Sequence, residues 1–279
     1  MDKLGGLLAI WGVLFLTGAT RADEAKPYSV ETIKDVVYHD GPDQHPTKHK
    51  LDLYLPKGPK DFPVLFFVHG GSWVHGDKGF LGLYGLLAKN YARQGVGVVV
   101  TNYRLSPGVK HPEHVKDVAR AFAWTVRNIE RHGGDPKRVF ACGHSAGGHL
   151  VSLLTTDETY LKACGVTTRA IRGVIPISGV YSIPDRFLPS VFGDQASKAS
   201  PLAHVRPGLP PFLLLYAQYE LPLLADGARE FGAALKAAGN DAEVTRVAGR
   251  THESILFWAD APDDPVSRAI TDFVARHRR

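Results

Sequence analysis

The chain has 279 residues, of which 44% are hydrophobic and 22% charged, with a formal net charge of +5. That length suits one large α/β domain with a substantial core, and the composition is that of an ordinary globular protein. No Lys/Arg run and no interleaving of aromatic and basic residues accompanies the mild positive charge, which excludes nucleic acid as a partner.

In chain order, residues 1–22 read as a secretory signal. Lys3 stands near the start, an apolar run extends from Leu4 to Leu16, and Ala-Thr-Arg-Ala closes the segment. The run is shorter than the roughly 20 apolar residues a bilayer span needs. Cleavage is expected after Ala22, with Thr20 third before the cut; an uncleaved N-terminal anchor is the alternative. Either arrangement puts the catalytic part outside the cytoplasm, and with the signal removed the chain is secreted or periplasmic, without stable membrane insertion. Residues 23–48 are polar and form an N-terminal approach segment, and the domain proper covers 49–279.

The stretch 49–56 alternates apolar and polar residues, as a half-buried strand does. Short apolar runs follow at 63–69, 96–103, 138–143, 170–179, 211–218 and 243–249. Most are apolar on both faces, which predicts strands buried in a mainly parallel sheet. Between them, Val115, Val118, Phe122, Val126 and Ile129 fall at helical spacing over 114–130, and Phe231, Leu235 and Ala238 over 226–238. The last helix opens at Asp263-Asp264-Pro265 and runs to about Arg276. The expected fold is therefore α/β, a mainly parallel open sheet with helices on both faces. Residues 181–210, rich in Pro, Ser and Gly, interrupt the alternation and predict a small lid-like insertion. Cys142 and Cys164 are separated by a helix about 20 Å long, beyond disulfide reach unless the chain folds back, so two buried free thiols are expected.

Gly143-His144-Ser145-Ala146-Gly147 fits G-x-S-x-G, with a predicted strand before it and a helix-compatible stretch after it. That context suits a nucleophilic serine on a sharp strand-to-helix turn. A second, independent motif is His69-Gly70-Gly71, directly after an apolar strand. Acyl transfer builds negative charge on a carbonyl oxygen, and glycines let backbone N–H groups approach it. The oxyanion donors are assigned to Gly70, Gly71 and Ala146, with Ser72 as a neighbouring candidate.

Of 13 histidines, His252 is the candidate base, because it stands just past the last strand, where ligands sit in parallel sheets. His204 is held in reserve, while His69 and His144 read as structural parts of their motifs. The acid should follow the strand 211–218. Glu220 stands in the first turn after it. Asp226 is the second choice and also reads as the N-cap of the helix 227–238. Trp73, Tyr103, Tyr181 and Phe187 could line an apolar substrate pocket. No H-E-x-x-H pattern or Cys/His cluster suggests a metal, and no cofactor is called for.

These residues resemble the α/β-hydrolase fold. Within it the chain is similar to the esterase branch with an HGGxW segment, related to hormone-sensitive-lipase-like carboxylesterases, kynurenine formamidases and bacterial feruloyl or acetylxylan esterases. The matching stretches are 69–78, 102–117, 133–150, 200–205 and 249–254. The resemblance implies nucleophile, acid and base at Ser145, Glu220 and His252, acting on a small-molecule carboxylic ester through an acyl-enzyme. An arylformamidase-like amide hydrolase is the alternative. The family usually has Asp where Glu220 stands.

Overall fold

Runs of valine, leucine and phenylalanine become the strands of one eight-stranded sheet in the computed structural model, which describes residues 26–278 other than Trp258 and Asp260. The expected signal, residues 1–22, lies outside the described residues. The strands are β1 (Val30–Val37), β2 (Lys50–Pro56), β3 (Phe62–Val68), β4 (Gly97–Thr101), β5 (Gly134–His144), β6 (Ile171–Ile177), β7 (Phe212–Tyr219) and β8 (Ala242–Thr251). Their spatial order is β1-β2-β4-β3-β5-β6-β7-β8. The β1–β2 and β2–β4 pairs are antiparallel, and from β4 to β8 each neighbouring pair is parallel.

The helices are α1 (Leu83–Arg93), α2 (Glu113–Asn128), α3 (Ala146–Thr156), α4 (Thr159–Ala163), α5 (Pro189–Phe192), α6 (Leu224–Ala237), α7 (Ser254–Phe257) and α8 (Pro265–Arg276). They cover both faces of the sheet, as the period-2 side-chain alternation of β3 demands. Phe66 and Val68 join the layer holding Val115 and Phe122 of α2 and Val151 of α3. Leu65 and Phe67 join the opposite layer, with Leu87 and Tyr91 of α1 and Ile270 and Phe273 of α8. At α8, Asp264 accepts from the Val266 N–H at 2.8 Å, with Pro265 at the first helical position.

Two local expectations change. β1 lies within the polar approach segment, where the sequence pattern gives no strand. It is an edge strand with mostly exposed side chains, and its register shifts between Ile33 and Val36, around the positive φ of Asp35. That bulge breaks the alternation that would have marked it. Asp226 is not an N-cap: α6 starts earlier, after the left-handed turn at Leu223, so Asp226 sits in its first turn and pairs with Arg229.

Residues 181–210 form the irregular insertion. Val191, Phe192, Ala196 and Ala199 are buried in the layer of α2 and α3, and the Val191 carbonyl accepts from the His111 N–H at 2.7 Å. Both cysteines are free thiols, Cys142 buried in β5 as expected, whereas Cys164, beyond α4, is only half-buried.

Candidate active site

The carboxyl ends of β3, β5, β7 and β8 converge, and each carries part of the site. Ser145 stands between β5 and α3 with φ 55° and ψ −118°, a strained conformation for a non-glycine residue. Its neighbours show why the turn needs glycine. A Cβ on Gly147 would lie 2.1 Å from the Val68 carbonyl oxygen, and one on Gly143 would lie 2.4 Å from the Gly147 carbonyl oxygen. The Ser145 N–H donates to the Ile177 carbonyl at 2.9 Å, which ties the turn to β6.

The structure brings Ser145, His252 and Glu220 together. Ser145 Oγ lies 2.9 Å from His252 Nε2, and His252 Nδ1 lies 2.5 Å from Glu220 Oε1. β7 and β8 are paired in parallel up to Tyr219 and Thr251, the residues just before the acid and the base. The Glu220 carboxylate also accepts from Ser178 Oγ at 2.5 Å and from the N–H groups of Ala217 and Leu221 at 3.1 and 3.0 Å. Burial opposes its ionisation, but the hydrogen bonds from His252, Ser178, Leu221 and Ala217 outweigh that and hold its pKa at about 2. It is therefore a fixed anion that orients the imidazole, with His252 Nδ1–H donating to it and Nε2 left to accept from the serine. Asp226 is not brought to His252, since its carboxylate pairs with Arg229 on the exposed side of α6. His204 is half-buried away from the triad, and its Nε2–H donates to the Lys198 carbonyl at 2.8 Å.

Gly70 and Gly71 follow β3, beside the serine turn: a Cβ on Gly70 would lie 3.2 Å from Ser145 Cβ. Gly71 has φ +116°, and its carbonyl accepts from the Val74 and His75 N–H groups at 3.1 and 2.8 Å. Ala146 opens α3, where the first N–H groups lack intrahelical acceptors and the helix dipole favours negative charge. A cavity of about 330 Å³ lies above these groups. Gly70, Gly71, His144, Ser145 and His252 form its floor and polar side, and Phe80, Leu83, Tyr84, Leu221, Leu256 and Phe257 its apolar wall.

Trp73, expected at the substrate, is not on that wall. It is buried beneath the site, its Nε1–H donating to His149 Nδ1 at 3.1 Å and its ring edge-on to Phe192 at 4.9 Å. The reason is the left-handed backbone at Ser72 and Trp73 (φ 53° and 62°), with the indole lodged between α3 and the insertion. Tyr103 is likewise buried, stacked on His69, and Tyr181 is buried, stacked on Phe231. Phe187 is partly exposed on the insertion and stacks on Phe192. No residue of 181–210 is among those that line the cavity.

His144 has a contact that its motif position alone does not reveal. Its Nε2–H donates to the His252 carbonyl at 2.8 Å, and the two rings are 4.8 Å apart. Burial, reinforced by neighbouring His252, lowers its pKa to about 4, so the ring is neutral near pH 7. The sequence reading does not reach the apolar wall, although Phe80 and Leu221 stand on the segments after β3 and β7 and Leu83, Tyr84, Leu256 and Phe257 on the helices α1 and α7 that follow the motif residues, and that adjacency was the available signal. Among the described residues, no group of three or more His, Cys, Asp or Glu is arranged to hold a metal ion, and no helix is long and apolar enough to cross a membrane.

Known proteins share this framework. The family model BD-FAE matches residues 51–180. A "Probable isoprenylcysteine alpha-carbonyl methylesterase ICMEL1" of Arabidopsis thaliana is 27% identical over 96% of this chain and 60% of its own length. "Esterase LipC" of Mycobacterium tuberculosis is 34% identical over 72% of this chain and 54% of its own. The chain thus spans somewhat over half the length of these curated relatives. Among solved structures, a truncated carbohydrate esterase from gut microbiota superposes with TM-score 0.76 at 17% identity, covering 91% of this chain and 98% of that one. Est2, an esterase of Thermogutta terrifontis, superposes with TM-score 0.70 at 23% identity, covering 90% and 91%.

Proposed function

We propose that this chain, which has the α/β-hydrolase fold, is a serine hydrolase of carboxylic esters. The observation that carries the reading is the continuous hydrogen-bonded line from Ser145 Oγ through His252 to Glu220, at 2.9 and 2.5 Å. His252 Nε2 takes the Ser145 proton as Oγ attacks the ester carbon, and the resulting imidazolium is stabilised by the Glu220 anion. Backbone N–H groups of the Gly70–Gly71 turn and of Ala146 hold the developing oxyanion. His252 then protonates the departing alcohol. A water molecule, deprotonated by the same imidazole, releases the acid and restores the serine. The names of the relatives, a methylesterase among them, have the ester bond in common and support that coarse substrate class.

The test is turnover of p-nitrophenyl butyrate, a methyl ester and N-formylkynurenine by the purified protein and by Ser145→Ala. Ester turnover that falls by about 10⁴-fold or more in the variant is expected. Full activity in Ser145→Ala overturns the mechanism, and turnover of the formyl amide alone overturns the substrate class.

We propose further that residues 1–22 are a cleaved export signal, on the strength of the basic start, apolar run and small-residue exit. Protein recovered outside the cytoplasm should begin at Asp23. Protein retained in the cytoplasm with Met1 intact would count against export.

A further inference from the structure

The cavity over Ser145 does not end at its own apolar wall. Phe80, Leu221 and Phe257, which line it, are each 48% exposed, so their side chains continue from the cavity onto the surface. Beside them on the same turns, Leu81 is 85% and Leu223 78% exposed. Both leucines have left-handed backbone, φ 48° and 70°, a conformation in which glycine or asparagine is at ease and leucine is strained. Core packing does not explain large apolar side chains at strained and solvated turn tips. Contiguous exposed apolar groups next to a pocket mark a binding surface. The cavity wall holds no lysine or arginine, and its one carboxylate belongs to Glu253, so an anionic substrate group finds no counter-charge there.

We infer that Phe80–Leu81, Leu221–Leu223 and Phe257 form an apolar collar that binds the extended aliphatic chain of the ester, which makes the preferred substrates neutral esters with chains too long for the cavity alone. This inference rests on the ester-hydrolase reading. The scissile carbonyl sits at Ser145, the first carbons fill the cavity and the rest of the chain lies along the collar. Each methylene removed from water there strengthens binding.

The probes are p-nitrophenyl acetate, butyrate and octanoate, each kept below its aggregation concentration, with the wild-type chain and the double variant Leu81→Asn, Leu223→Asn. Asparagine tolerates the left-handed backbone, so the variant relieves strain at both turns while removing the apolar surface. In the wild type, kcat/KM should rise from acetate to octanoate. In the variant, the octanoate-to-acetate ratio of kcat/KM should drop by about fivefold or more, chiefly through KM. A flat chain-length profile in the wild type, or an unchanged ratio in the variant, overturns the collar while leaving the ester reading intact. If the substitutions convert a dimer to a monomer in sedimentation without changing the ratio, the surface is a subunit interface and the inference fails. A wild-type chain that cleaves none of the three esters fails at the earlier step, in the ester reading itself.

Discussion

Glu220 reaches His252 with one methylene more than aspartate has, and four donors converge on its carboxylate. Replacing it by glutamine keeps the shape but removes the charge facing the imidazolium and presents an amide N–H where an acceptor is needed. Glu220→Gln should lower kcat by about 10³–10⁴-fold, while Asp226→Asn, on an exposed ion pair with Arg229, should stay within about twofold; steady-state kinetics on one ester separates the two. His144 acts one step further back. Its ring spans from the serine turn to the backbone of the base, so from the cavity floor it positions His252. His144→Phe should lower kcat on the order of tenfold with little change in KM, and His144→Gln, which retains an N–H donor, should recover part of the loss. Equal losses in the two variants would leave the hydrogen bond without a role. Ser145 and His252 were legible in the sequence because each sits at a position the fold defines, on the elbow and after the last strand. His144's role was not, because it depends on a contact across 108 residues.

At the scale of elements, the central strands were readable because a buried parallel strand is apolar on both faces, as at Phe62–Val68. β1 was not, because an exposed edge strand with a bulge carries no such run. The insertion could be located by composition but its seat could not, since that depends on Phe192 meeting Trp73 and on His149 Nε2–H reaching the Ala199 carbonyl at 2.7 Å. The tightest element junction is the elbow, where α3 crosses the end of β3. Gly147→Ala would drive a methyl group to 2.1 Å from the Val68 carbonyl oxygen. A backbone shift must follow, costing about 1–3 kcal/mol of stability. The same shift moves Ser145, so activity should fall together with the unfolding midpoint in urea. A variant with wild-type stability would show that the junction has room to spare.

Across the whole molecule, buried histidines set the pH range in which the fold is stable. Burial lowers His69, His111, His114 and His144 to about 4, and His149 to about 3, from an ordinary value of 6.5. Their contacts fit the neutral form: His149 accepts from Trp73 on one nitrogen and donates to Ala199 from the other. Below pH 6.5 the unfolded chain binds protons at these five positions and the folded chain does not, so unfolding is favoured as pH falls. Their contribution is complete above pH 6.5 and is lost as pH falls toward 4, at roughly 1.4 kcal/mol per pH unit for each fully engaged group. Glu220 follows the same sign in a lower window. Its pKa is depressed from 4.5 to about 2, so its stabilising effect is intact above 4.5 and disappears only as pH falls through 2. The histidine contribution therefore fails first. Urea unfolding between pH 8 and pH 4 should show stability level down to about pH 7, then a steep fall, with the slope reporting uptake of several protons on unfolding. Typical domain stabilities are only about 5–15 kcal/mol, so stability should fall on this account before Glu220 titrates. Constant stability down to pH 5 would mean that these histidines are already protonated, or hydrated, in the folded protein.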